Sequence, residues 1–153
     1  AALVPRLIVA FGTQRDRYQS ADQVQCYSGI APVKEASGKT ECIHFRFTCP
    51  KFLRQTFHEF ASHSIGQSEW AKAYYEHLRN DRKKSHHASV RALAYKWIRI
   101  IFRCWKDGKP YDERVYLESL RRRGALLGGA LKLATHAEWK TVAGFQKLSE
   151  NNT

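Results

Sequence analysis

Hydrophobic positions recur along this chain with two different periods. Between Ala88 and Lys106, residues Val90, Leu93, Ala94, Trp97, Ile98, Ile101, Phe102 and Trp105 return every three or four positions. That spacing lays one apolar stripe along a long α-helix. A less regular version places Leu53, Phe57, Phe60 and Ser64 on one face of a helix running from Lys51 to His63. It also places Trp70, Ala73, Tyr74, His77 and Leu78 on one face of a helix from Ser68 to Leu78. Between Cys42 and Cys49 the period drops to two, with Ile43, Phe45, Phe47 and Cys49 alternating with Cys42, His44, Arg46 and Thr48. The alternation predicts a short strand with one face buried.

The breaks between these runs carry turn and cap chemistry. Leu3 to Phe11 predicts a short helix, with Pro5 tolerated in its first turn and Gly12 as its stop. Ser20 can cap a second helix that carries Ala21, Val24 and Tyr27 on one side and ends at Gly29. Pro32 makes the Ile30 to Val33 segment extended. Ala36, Ser37, Gly38 and Lys39 are turn residues. Pro50 suits the first turn of the helix that follows it. Asn80 to Lys84 reads as a basic linker, and Asp107 to Pro110 breaks the long helix. A last helix is expected from Asp112 to Arg123, stopped by Gly124. The expected fold class is mainly α: packed helices, with one short β segment after the Ser-Gly loop.

The 153 residues suit a single globular domain. Within it, residues 1–65 form a core region, residues 66–125 a basic helical extension, and residues 126–153 a loosely ordered tail. The chain has no methionine and starts abruptly with AALVPRLIVAFG. It therefore reads as a piece of a longer protein, in which any site shared with a missing domain is incomplete.

Charge changes the picture. Lys and Arg number 26 against 14 Asp and Glu, a formal net charge of +12. Such an excess attracts polyanions, with nucleic acid first among them. The bland alternative is a basic surface with no specific ligand. No apolar run reaches the roughly 20 residues of a membrane span, and no signal peptide is present, so a cytoplasmic setting and no membrane partner are expected. The four cysteines are too sparse for a secreted disulfide framework. Cys42, His44 and Cys49 lack the paired spacing of a structural zinc site, so no metal site is expected in this chain and half-buried thiols are.

Two kinds of basic site are on offer. Lys96, Arg99, Arg103 and Lys106 form a stripe three or four residues apart, away from the apolar face of the long helix. A row of this kind can track a phosphate backbone, or it can be the solvated side of an amphipathic helix. Arg82 to Lys84 and Arg121 to Arg123 carry the same two readings. The other site surrounds Ser37. A serine hydroxyl is a weak nucleophile unless a neighbour takes its proton or stabilises the developing charge. Gly38 gives the backbone freedom for close approach. Lys39, Arg46, Lys51 and Arg54 supply cations, of which arginine matches phosphate geometry best. The N-terminus of the next helix adds donors for an anion, and His44 or Lys39 could assist. A plain turn and a nucleophile facing a phosphodiester both remain open. Scattered carboxylates argue against a two-metal nuclease within the chain. No GxSxG elbow and no glycine-rich phosphate loop occurs.

From Ser20 the chain reads SADQVQCYSGIAPVKEASGK, and later CPKFLRQTFHEFASHSI. This order resembles the C-terminal transposase domain of the insertion-sequence-110 family, also named for insertion sequences 116 and 902. Gly29-Ile30-Ala31-Pro32 matches that family's "GL-x-P" turn, Ser37-Gly38 its Ser-Gly loop, and Phe52-Leu53-Arg54 its "yLR" helix motif. The resemblance covers roughly Leu3 to Ile65. Two departures stand out: Thr48-Cys49-Pro50-Lys51 where many members have "rGN", and Val4-Pro5 where "G-P" is expected.

The resemblance implies a helix-hairpin-helix-like N-terminal part and a DNA recombinase activity. By it, Ser37 is the nucleophile, and Ser28 is a packing residue. Lys39, Arg46, Lys51, Arg54, Lys96, Arg99 and Arg103 are the candidate nucleic-acid contacts. The site would be completed by a RuvC-like domain outside this chain, whose DEDD carboxylates hold Mg²⁺, with no cofactor in this chain. DNA, a bridge-type guide RNA and further copies of the full-length protein are the implied partners. Two readings from other classes stand beside it. One is a non-catalytic nucleic-acid-binding domain that uses the basic helix faces. The other is an oligomerisation module that uses the apolar face of the Val90 to Trp105 helix.

Overall fold

A computed structural model describes residues 3–44 and 46–122. The chain is mainly helical, with six helices and a two-stranded sheet among the described residues. In order these are α1 (Leu3–Phe11), α2 (Ala21–Tyr27), β1 (Val33–Ser37), β2 (Thr40–His44), α3 (Lys51–Ser64), α4 (Glu69–Asn80), α5 (His86–Asp107) and α6 (Glu113–Arg122). The chain divides into two compact units, residues 1–113 and residues 114–153.

In the first unit α5 is the axis. It packs against α2, α3 and α4, and α1 packs against α3. Val90, Leu93, Ala94, Trp97 and Ile98 are buried, so the stripe predicted from the 3.6-residue period is the core face. Ile101, Phe102 and Trp105 continue it half-buried. Opposite them lie Phe57 and Ala61 of α3, Trp70, Ala71 and Leu78 of α4, and Val24 and Ile30 from the α2 region. Ser85 caps α5, its hydroxyl accepting from the Ala88 N–H at 3.3 Å, and Gly108 closes the other end in the left-handed conformation at φ +64°.

Indole N–H groups tie the elements together. Trp97 Nε1 donates to Ser64 Oγ at 2.7 Å, Trp70 Nε1 to the Tyr111 hydroxyl at 2.8 Å, and Trp105 Nε1 to the Gly12 carbonyl at 2.8 Å. Gln25, buried in α2, donates from Nε2 to the Tyr95 carbonyl of α5 at 2.8 Å. The loop after α1 is clamped on the end of α5. Arg15 donates to the Trp105 carbonyl and lies over its ring, while Lys106 Nζ donates to the Arg15 carbonyl at 2.7 Å.

Three expectations need correction. Ser20 occupies the N-cap position of α2, but its side chain makes no cap bond. Instead Gln23 Oε1 accepts from the Gln19 N–H at 2.8 Å, which serves the same end of the helix. The strand after the Ser-Gly turn ends at His44, and β1 and β2 are exposed along nearly their whole length. Neither face is buried, because neither face is apolar. Glu35 and His44 form a diagonal ion pair at 3.0 Å on one side, and Lys34 and Glu41 another at 3.0 Å on the other. Ile43 is left 65% exposed, and Phe47, beyond the strand, 79% exposed. The long helix also begins two residues earlier than the expected start at Ala88, at His86.

In the second unit the described part of α6 carries an ion pair between Arg122 and Glu118 at 3.1 Å, one turn apart. Phe45, the end of the last helix at Arg123, its stop at Gly124 and the tail of residues 126–153 lie outside the described residues.

Leu93, with no exposed surface at the centre of the stripe, sets the scale of core stability. Leu93→Ala is expected to cost about 2–5 kcal/mol in urea unfolding followed by circular dichroism. Arg99→Ala, on the exposed side of the same helix, should change it by no more than about 0.5 kcal/mol.

Candidate nucleic-acid interface

The hairpin sets the geometry around Ser37. Val33 pairs with His44 at its base and Ser37 with Thr40 at its tip, in an antiparallel register. Ser37 is therefore the last residue of β1 rather than a loop residue, and Gly38-Lys39 is the two-residue loop. Gly38 has φ +60° at the first loop position, where a type II′ turn calls for glycine. Ser37, Gly38 and Lys39 are all exposed. Four residue steps separate the tip pair from the base pair, about 13 Å at the usual strand rise.

The arginines gather at the other end. After α2 the chain turns through Gly29 (φ +73°), with the Ile30 and Ala31 N–H groups both donating to the Gln25 carbonyl at 3.1 and 2.9 Å. A Cβ on Gly29 would sit 2.4 Å from Cys49 Sγ, 2.8 Å from Cys49 Cβ and 3.7 Å from Arg54 Cδ. Glycine is needed here for its backbone conformation and because Cys49 and Arg54 lie directly on it. Arg54 Nη1 donates to the Arg46 carbonyl at 3.2 Å. Arg46 Nε is buried with no hydrogen-bond partner. Lys51, the exposed first residue of α3, shares the first turn with Arg54, and that turn contains no acidic residue. The structure thus brings Arg46, Lys51 and Arg54 together at the base of the hairpin, with Ser37 and Lys39 at its tip. His44 belongs to the hairpin's own ion pair and stacks on Phe47, with ring centroids 5.7 Å apart. Ser28 is fully buried, its hydroxyl donating to the Gln25 carbonyl at 3.3 Å.

The α5 stripe is divided by its environment. Lys96 Nζ lies 4.4 Å above the Tyr74 ring, and burial, then the Arg99 charge, lowers its pKa. Arg103 is exposed and paired with Asp107 at 2.7 Å. Lys106 is spent on the Arg15 carbonyl. Arg99 remains exposed at the surface.

A further group escaped the sequence reading. His58 of α3 and His87 of α5 have ring centroids 6.2 Å apart, and His86 lies 5.3 Å from His87. Burial, then the charges of Arg91 and His87, push the His58 pKa down, against a hydrogen bond to the His87 backbone that raises it. Burial, then Arg54, lowers that of Arg91. The available signal was spacing: Arg54 and His58 are one turn apart on α3, as are His87 and Arg91 on α5. Nothing in a linear sequence says that these two turns meet. All four cysteines are free thiols, and among the described residues no three His, Cys, Asp or Glu side chains are grouped to hold a metal ion. No helix among them is long and apolar enough to cross a membrane.

Residues 1–76 match the family model described as Transposase IS116/IS110/IS902 family. The chain is also similar to "Mini-circle putative transposase for IS117" of Streptomyces coelicolor, with 26% identity over 109 residues. That alignment covers 71% of this chain and 26% of the relative, so the chain spans about a quarter of its length. No solved structure matches. Both comparisons support the family that the sequence resembles.

Gly29→Ala should destabilise the chain by roughly 1–3 kcal/mol, from backbone strain and the clash with Cys49. Combining it with Cys49→Ala, which removes the sulfur contact, should recover part of that loss, with a coupling above about 0.5 kcal/mol in a double-mutant cycle.

Proposed function

We propose that this chain is part of a transposase of the IS116/IS110/IS902 group and that Ser37 is the nucleophile that breaks and rejoins DNA. The observation that carries the reading is the coincidence of two facts. The stretch that matches the family contains an exposed serine, and the hairpin presents it at a solvent-facing tip beside a glycine. A hydroxyl held there can reach a phosphodiester without a clash from its own fold.

In the proposed step the Ser37 oxygen attacks phosphorus and its proton passes to a base. The bond from phosphorus to one sugar oxygen breaks, and that oxygen leaves protonated as a hydroxyl. The new seryl–DNA ester keeps the energy of the broken bond. Attack by a sugar hydroxyl then rejoins the strand without an energy-supplying cofactor. Lys39 is the cation nearest the tip in sequence. Arg46, Lys51 and Arg54 sit about 13 Å back along the hairpin, which is some four nucleotide rises of a duplex strand. Their proposed role is to grip backbone phosphates flanking the scissile one, and Arg99 and Arg103 extend the grip along α5. Half-buried Lys96 contributes charge from its place over the Tyr74 ring.

The Mg²⁺ expected from the resemblance is proposed to sit in a RuvC-like domain of the full-length protein, where it would stabilise charge on the reacting phosphate. A guide RNA and homo-oligomeric assembly are proposed on the same basis.

Ser37→Ala in the full-length protein should reduce recombination to background and remove any detergent-resistant protein–DNA adduct. DNA affinity should stay within about twofold, because one neutral hydroxyl adds little to phosphate binding. Unchanged recombination would leave a non-catalytic DNA-binding domain as the correct reading.

A further inference from the structure

Phe47 lies just beyond β2 and is 79% exposed. A single exposed apolar residue is ordinary on a protein surface. Its surroundings set this one apart. The Phe47 ring stacks on that of His44, with centroids 5.7 Å apart and planes 21° from parallel. The imidazole is itself pinned, its Nε2 3.0 Å from Glu35 Oε1 across the hairpin. A ring backed on one side and 79% exposed leaves its other face to solvent. Phe47 therefore buries little surface and adds little to the stability of the fold.

The backbone that carries the ring is fixed. The carbonyl of the peptide joining Arg46 to Phe47 accepts from Arg54 Nη1 at 3.2 Å. Arg54 and the exposed Lys51 share the first turn of α3, which holds no acidic residue. An open aromatic face beside cations is the pairing that binds single-stranded nucleic acid, because cations hold the phosphates while the ring stacks on a base. A duplex offers no such base, since each one is covered on both faces by its neighbours. Ile43 is 65% exposed on the opposite side of the hairpin, but it has no π-face to offer.

We propose that the Phe47 ring, backed by His44, is a stacking platform for an unpaired DNA base whose flanking phosphates lie against Lys51 and Arg54. The inference rests on the reading of the chain as a DNA-acting protein, and it adds a requirement to that reading. His44 belongs to the base pair of the hairpin, so the platform sits about 13 Å from the Ser37 tip. A base seated there is a few nucleotides from a phosphate at the tip. The DNA must then be open on that side of the reacting phosphate.

The test uses the whole chain and fluorescence anisotropy. The probes are a short DNA single strand, the same strand in a duplex, the same strand with abasic sites, and its RNA counterpart. Phe47→Ala should weaken single-strand binding at least about fivefold, the lower end for one base–aromatic stack, and leave duplex binding within about twofold. Phe47→Trp, which keeps a π-face, should retain single-strand binding. Phe47→Leu, which keeps only apolar bulk, should lose it as Phe47→Ala does. Ile43→Ala should bind as the wild-type chain does. On the abasic strand the wild-type chain and Phe47→Ala should bind equally. Unchanged single-strand binding by Phe47→Ala or Phe47→Leu, equal losses on single strand and duplex, or a Phe47→Ala defect that persists on the abasic strand would overturn the proposal. A larger Phe47→Ala defect on the RNA strand would overturn the assignment to DNA. The covalent chemistry of Ser37 is read from the adduct, so the two proposals can fail separately.

Discussion

One buried donor organises the first unit. Trp97 lies at the centre of α5, and its indole N–H cannot be hydrated there. Its N–H is satisfied by Ser64 at the end of α3. The same ring is edge-on to Phe60 at 5.1 Å and packs on Trp70 at 4.8 Å and Tyr111 at 5.2 Å. A neutral hydrogen bond adds only about 1 kcal/mol net, but leaving such a donor unpaired costs about 1–3 kcal/mol. The bond therefore acts mainly as a constraint on register. Only the packing that puts Ser64 against Trp97 buries the α5 stripe without penalty, and that packing also orients the N-terminal turn of α3.

From that turn the hairpin is positioned. Gly29 lets Cys49 and Arg54 close over the chain reversal after α2, and Arg54 holds the Arg46 carbonyl. The anchoring is confined to the base. Beyond it, both faces of the hairpin are polar and both strands are exposed. Two strands alone are marginally stable in water, so the tip has freedom that the base lacks. On such an arm the proposed nucleophile, Ser37, could enter a site assembled from other surfaces.

The positive charge is not spread evenly in purpose. Arg6, Arg15, Lys96 and Lys106 have structural partners: a carboxylate, a carbonyl with an indole, a phenol ring and a carbonyl respectively. Arg46, Arg54, His58 and Arg91 are half-buried, and Arg54 holds the Arg46 carbonyl. A formal charge of +12 predicts attraction to polyanions, but it does not distinguish cations that brace the fold from cations that face solvent.

What could be read from the linear pattern was whatever depends on near neighbours. The 3.6-residue recurrence in α5 marked its buried face, because a helix face is defined by residues three and four apart. Gly12, Gly29, Pro50 and Gly108 marked ends, because φ preferences are local. The quoted Gly-Ile-Ala-Pro, Ser-Gly and Phe-Leu-Arg motifs pointed to the family for the same reason. The alternation after Cys42 misled, because period two shows that a strand has two faces and does not show whether anything covers them. Spacing also could not place Ser37 at a tip some way from Arg46 and Arg54, since that depends on where β1 finds its partner. Lys96 over Tyr74 and the meeting of His58 with His87 are contacts between separate helices. Helix packing creates those environments, and with them the burial and the like-charge crowding that set what each side chain can do.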